Sequence, residues 1–191
     1  MKPTLFLITI FLSKCLFSQN SVKTFTKEEY EQHKKNRIIE IKLEDNLKNN
    51  FNGKKHIDSV LILLNLYRKE NNCNKLELSE NLCKVAELQS QYCADRLIVT
   101  HDQENELLDS PFHRGFIYGE KEVSGEIVSE TSISGIIFRK RTIPSAPIEN
   151  FKRSSAHSSI MKMKNFKRCG ISMIQSNLDK NKYYTVIVFS E

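Results

Sequence analysis

Residues 79–102 read SENLCKVAELQSQYCADRLIVTHD, and how this stretch is read decides the fold. Ser79 is a hydroxyl residue placed to cap a helix N-terminus. Leu82, Val85, Ala86, Cys93 and Leu97 recur along one helical face. Ala86 and Ser90, four residues apart, keep that face small enough for another element to approach closely. After Val99-Thr100 the chain turns polar, and His101-Asp102 follow at once.

Working outward, residues 57–70 (IDSVLILLNLYRKE) carry apolar side chains at Ile57, Val60, Leu61, Leu64 and Tyr67, again at helical spacing, with Leu63 and Leu66 widening the stripe. Asn71-Asn72 ends this helix, and Leu76 and Leu78 flank a short extended connection. Residues 101–150 hold few regular signals apart from a helical or irregular stretch near 133–139, and Pro144 and Pro147 then break the chain. Residues 169–174 and 183–189 are rich in β-formers and are separated by turn-rich 176–182, which predicts a terminal antiparallel hairpin. Upstream, Thr26 with Glu29 forms a capping box, and Tyr30, Ile38, Ile39, Ile41 and Leu43 give a weak apolar stripe on a helix. The Asn-Lys-rich stretch 46–55 reads as a linker, with the domain boundary there. In SSAHSS, residues 154–159, His157 stands among small residues and by itself reads as an ordinary loop residue.

The 191 residues suit one core with appended sequence. Residues 1–19, MKPTLFLITIFLSKCLFSQ, place Lys2 ahead of an apolar run and end in a polar exit, the outline of an export signal. The run 5–12 is about half of the roughly 20 residues a spanning helix needs, so no transmembrane anchor is expected, and the expected location is extracellular, or periplasmic in a bacterium. Lys14 before Cys15 speaks against lipidation. Lys2 and Lys14 are the only charges in the signal, so the formal +6 falls to +4 after its loss. That excess is scattered, densest at Arg139-Lys140-Arg141, with no aromatic residues interleaved; a nucleic-acid partner is therefore not expected.

Cys73, Cys83, Cys93 and Cys169 remain in the mature chain. An even count in an exported protein suggests disulfides. On one helix Cys83 and Cys93 would lie about 15 Å apart, beyond the roughly 7 Å a bridge spans. This leaves Cys73–Cys83 with Cys93–Cys169, or Cys73–Cys93 with Cys83–Cys169; four buried free thiols are the alternative. With no CxxC pair, a cysteine zinc site is disfavoured. Walker-type loops, dinucleotide fingerprints and GxSxG elbows are missing from the sequence.

The order of LNLYRKE, LSENLCKVAELQSQYCADR running into THD, SPFHRGFIYGE, SGEIV, IENFKRSSAHSSIMKMKNFKRCGISM and YYTVIVF over residues 57–189 resembles the CAP superfamily of cysteine-rich secretory, venom-antigen and pathogenesis-related proteins, in its bacterial SCP-like form. The resemblance implies an α+β fold, a three-layer α-β-α sandwich with a mainly antiparallel sheet, over 56–191, with 20–55 as a polar, partly helical extension. It also implies a cleft in which His101, Glu126 and His157 match the family's polar residues and Phe151 stands where the family usually has Trp. Departures are GEI for GEN after Glu126, Ala156 for Gly, and Ser154 where many members carry a second Glu.

Two imidazoles and a carboxylate can fill three positions of a zinc-like site with the fourth open to water. His101, His157 and Glu126 are thus the candidate ligands for a divalent metal such as zinc, the only cofactor considered, and Glu126 is the candidate proton acceptor if the protein is hydrolytic. The favoured reading is an extracellular module that binds a lipid, a peptide or a partner protein rather than an enzyme. The alternatives are a metal-dependent hydrolase and a structural envelope or host-interaction domain with a vestigial cleft. His113 reads as a solvated loop residue, and Arg114 as a surface arginine unless it braces the cleft loop.

Overall fold

The computed structural model describes residues 26–191; the expected export signal 1–19 lies outside the described residues. The chain divides into two compact units, residues 1–43 and 44–191. The first contains the start of helix α1 (Lys27–Asn49), closed by the expected capping box: Thr26 N donates to Glu29 Oε2 at 2.8 Å and Glu29 N to Thr26 Oγ1 at 3.2 Å.

In the second unit, 46–55 is not a bare linker. Asn46–Asn49 finish α1, a 3-10 turn spans Gly53–His56, and Leu47 and Phe51 pack against the core. The Phe51 ring lies 4.9 Å from that of Tyr183. A Cβ on Gly53 would collide with the Met173 carbonyl, which is why the turn can lie so close to the sheet. Two isolated apolar residues among Asn and Lys give no periodic signal, so this docking was not legible in the sequence.

Helix α2 (Ile57–Glu70) and helix α3 (Glu80–Arg96) form as their spacing predicts, and the Ser79 hydroxyl accepts from Leu82 N. Between them runs the two-residue strand β1 (Glu77–Leu78). The terminal hairpin is β3 (Arg168–Gln175) and β4 (Lys182–Ser190), paired antiparallel with Ile171 opposite Ile187. The remaining strand, β2 (Val123–Ser132), pairs antiparallel with β4. Sheet order is β1-β3-β4-β2, with β1 parallel to β3, so the sheet is mixed though mainly antiparallel. Four short helices complete the fold: α4 (Pro111–Ile117), α5 (Ile133–Phe138), α6 (Ser145–Arg153) and α7 (Ser155–Met161).

The period of two along β4 builds the layers. Tyr183, Ile187 and Phe189 enter one core with α2, α5, α6 and α7, while Tyr184, Val186 and Val188 enter a second with α3. The protein is therefore a three-layer α-β-α sandwich. Gly170 on β3 lets α3 touch the sheet, since a Cβ there would overlap the backbone of Leu82 and Cys83, and Ser90 meets Ser172 hydroxyl to hydroxyl at 2.7 Å.

The expected disulfides are corrected: Cys73, Cys83, Cys93 and Cys169 are all free thiols. Cys93 belongs to the core under α3 and Cys169 to the core on the opposite face of the sheet, so a Cys93–Cys169 bridge would have to cross the sheet. Cys73 donates to Lys162 O at 3.1 Å and Cys83 accepts from Ile171 N at 3.4 Å, so each is placed by a local backbone contact. Burial pushes the Cys169 thiol up to about 12, which suits an inert core residue.

Candidate functional site

The residues of the site come from four segments that the sheet and its flanking helices bring to the edge strand β2. Helix α3 ends at Leu97, whose φ of 55° turns the chain out of the helix. The following loop is pinned by Gln89 Nε2 donating to Thr100 O at 2.6 Å and Gln103 Nε2 to Gln89 Oε1 at 3.0 Å. These contacts set His101, whose Nδ1 lies 2.9 Å from Glu126 Oε1. The His101 side chain is 49% exposed, whereas Glu126 is 1% exposed.

Arg114 completes the arrangement. Its side chain is fully buried, and Nη2 donates to Glu126 Oε2 at 2.7 Å. Its Nη1 reaches the carbonyls of His101 and Leu108 at 3.1 and 2.8 Å, so the same guanidinium holds both the carboxylate and the backbone of the histidine. Expected as a surface residue by default, it instead braces the cleft loop. The local signal was Gly115 beside it. A Cβ on Gly115 would press on Val123 and the Glu120 carbonyl, so α4 must pack tightly against the start of β2, which turns Arg114 inward. Pro111 at the first turn and Ser110 as cap start that helix.

His157 is not a loop residue. It sits in the first turn of α7, where Ser154 Oγ accepts from His157 N at 3.4 Å. Its ring meets buried Phe151 edge to face, with centroids 5.3 Å apart at 84°. Buried Phe151 thus backs the His157 ring, and α2 ties α7 in place through Tyr67 Oη and Ser158 Oγ at 2.8 Å. His113 lies outside this group, exposed and paired with Asp109 at 2.6 Å.

The two imidazoles differ electrostatically. The hydrogen bond to Glu126 raises the His101 pKa, against an opposing desolvation. Desolvation lowers that of His157, with a second lowering from the charge of His101. When His101 is neutral and donates through Nδ1 to Glu126, the lone pair of Nε2 points away from the carboxylate, free to accept a proton, a hydrogen bond or a metal ion.

Among the described residues no group of three His, Cys, Asp or Glu side chains is placed to hold an ion. Glu126 is buried, with Arg114 and His101 each bonded to one of its oxygens. What faces outward are the partly exposed rings of His101 and His157, the latter backed by buried Phe151.

Layers, strand order and site together define an α-β-α sandwich of the secretory-protein type. The sequence model for the cysteine-rich secretory protein family, CAP, matches residues 61–189, and the chain belongs to that family. Among solved structures, an outer surface protein of Borrelia burgdorferi superimposes with a TM-score of 0.55 at 16% identity, over 70% of this chain and 90% of its own. An extracellular SCP-domain protein of Bacillus anthracis gives 0.55 at 16%, over 73% of this chain and 41% of its own. A cysteine-rich secretory protein of Staphylococcus aureus gives 0.50 at 11%, over 74% and 41%. This chain therefore spans about four tenths of the last two. No curated protein matches the sequence. At these identities the likeness is one of fold.

Proposed function

We propose that this protein works outside the cytoplasm as a binding module, and that its cleft recognises a ligand or partner through His101 and His157. The observation that carries this reading is the state of Glu126: both of its oxygens are engaged, by His101 and by buried Arg114, at 2.9 and 2.7 Å. A hydrolytic cleft needs a carboxylate able to accept a proton from water. Here the carboxylate is a bracket that orients His101, and the outward chemistry is left to imidazole nitrogens, which bind a peptide, a lipid headgroup or a partner's polar group. The extracellular and outer-surface descriptions of the structural relatives support an exported setting, as does the apolar run 5–12 behind Lys2. Among the described residues no helix is long and apolar enough to cross a membrane.

A divalent ion has the same two imidazoles available, without Glu126. Calorimetric titration with zinc tests the site: the wild type is expected to bind, and the His101→Ala, His157→Ala double variant to lose that binding with its thermal unfolding unchanged. Undiminished affinity in the double variant would overturn the assignment.

A further inference from the structure

The basic run Arg139-Lys140-Arg141 plays no part in the cleft, yet it borders a pocket of about 240 Å³ beside the C-terminal end of β2, which includes none of His101, Glu126 or His157. We infer that this pocket is a second binding site, for a small oxyanion, a carboxylate or a phosphate, held by the guanidinium groups of Arg139 and Arg141 with the amide of Asn150 and the hydroxyl of Thr131.

Backbone geometry places the two arginines. Lys140 adopts a left-handed φ of 51°, which ends α5 sharply. The carbonyls of Gly135, Ile137 and Ile136 are then capped by the backbone N–H groups of Arg139, Lys140 and Arg141 at 3.1, 3.0 and 2.9 Å. The side chains are thereby released from capping. Arg139 makes no side-chain hydrogen bond or ion pair among the described residues, and Arg141 makes one, a long contact of 3.4 Å to Asn150 Oδ1. Most of their donors face no protein partner, the condition in which a guanidinium takes an oxyanion in its fork.

The charge of the wall favours an anion. Its one carboxylate, Glu130, is already held through Oε2 by Lys182 Nζ at 3.1 Å and Tyr184 Oη at 2.8 Å, so the two arginines remain uncompensated. Asn150 is itself positioned by Nδ2 donating to Thr131 Oγ1 at 3.3 Å. Ile136 and Ala146, both buried, add an apolar patch that suits a short carbon chain. The volume lies below the roughly 300–1,000 Å³ of sites for drug-sized molecules, which limits the ligand to a few heavy atoms.

The test is amide NMR of the full chain titrated separately with inorganic phosphate and with butyrate. Saturable shifts at Ser132, Gly135 and Asn150 are expected with at least one probe, and whichever probe binds tells phosphate from carboxylate. Arg139→Gln with Arg141→Gln should weaken that binding by about tenfold or more, the loss expected for a charge-assisted hydrogen bond. A control that removes two exposed charges elsewhere, Arg153→Gln with Lys164→Gln, should change it by no more than about twofold. No saturable shift with either probe, or an equal loss in the control, overturns the inference. His101→Ala with His157→Ala should leave these shifts intact, so the two sites stand or fall separately.

Discussion

At the scale of the residue, the opposite pKa shifts of the two cleft histidines give a pH signature. The hydrogen bond to Glu126 raises His101, so the stability it contributes is full below its ordinary value of 6.5 and is lost as pH rises through the higher folded value. Desolvation lowers His157, so its contribution is full above 6.5 and is lost as pH falls from there through the lower folded value. The joint contribution of this pair peaks near 6.5 and is softened by solvent, because both rings are partly exposed. A ring-proton NMR titration should show His101 titrating above His157, and Glu126→Gln should move His101 down. Coincident titrations, or no response to Glu126→Gln, would refute the account. Arg114→Leu leaves Glu126 buried with only a histidine beside it and should cost about 3–5 kcal/mol in urea unfolding, part of it recovered by adding Glu126→Leu. The order of the chain singled out His101, Glu126 and His157, and the structure brings the first two into hydrogen-bond contact. Arg114 was legible only in part: Gly115 beside it hints at close packing of α4, but an arginine in a loop-to-helix run does not by itself distinguish a buried guanidinium from a solvated one.

At the scale of the element, close approach and left-over polarity set the expectations. Gly170→Ala would drive a methyl into the first turn of α3; it should destabilise by about 1–3 kcal/mol, the usual cost of overpacking. Thr185 is fully buried on β4 opposite Ser129, and neither hydroxyl has a hydrogen-bond partner among the described residues. Thr185→Val keeps the branched shape suited to a strand and removes the orphaned group, so it should stabilise by about 1 kcal/mol in the same assay; a loss of stability would show that the hydroxyl is satisfied. Helices α2 and α3 and the β3–β4 hairpin were readable because each carries a long apolar period. Strand β2 was not, because Ser129, Glu130 and Thr131 interrupt its alternation, and their burial depends on α6 and β4 arriving from elsewhere in the chain.

At the scale of the whole molecule, both cores are drawn from residues 44–191. A fragment beginning at Glu44 should fold cooperatively, with near-ultraviolet dichroism like that of the full chain, whereas one beginning at Ile57 loses Leu47, Phe51 and Gly53 and should unfold at lower urea. Equal midpoints would return 46–55 to the status of a linker. By itself the sequence determined the helical faces of α2 and α3, the terminal hairpin, the Thr26 capping box, the Ser79 cap and the family order of the cleft residues, since periodicity and capping are local properties of the chain. Only the tertiary structure decided that both oxygens of Glu126 are engaged by His101 and Arg114, that Arg114 is buried, that Cys93 and Cys169 lie in cores on opposite faces of the sheet, and that Arg139 and Arg141 border a pocket. Each of these depends on which groups from distant segments meet, and on how much water their meeting excludes.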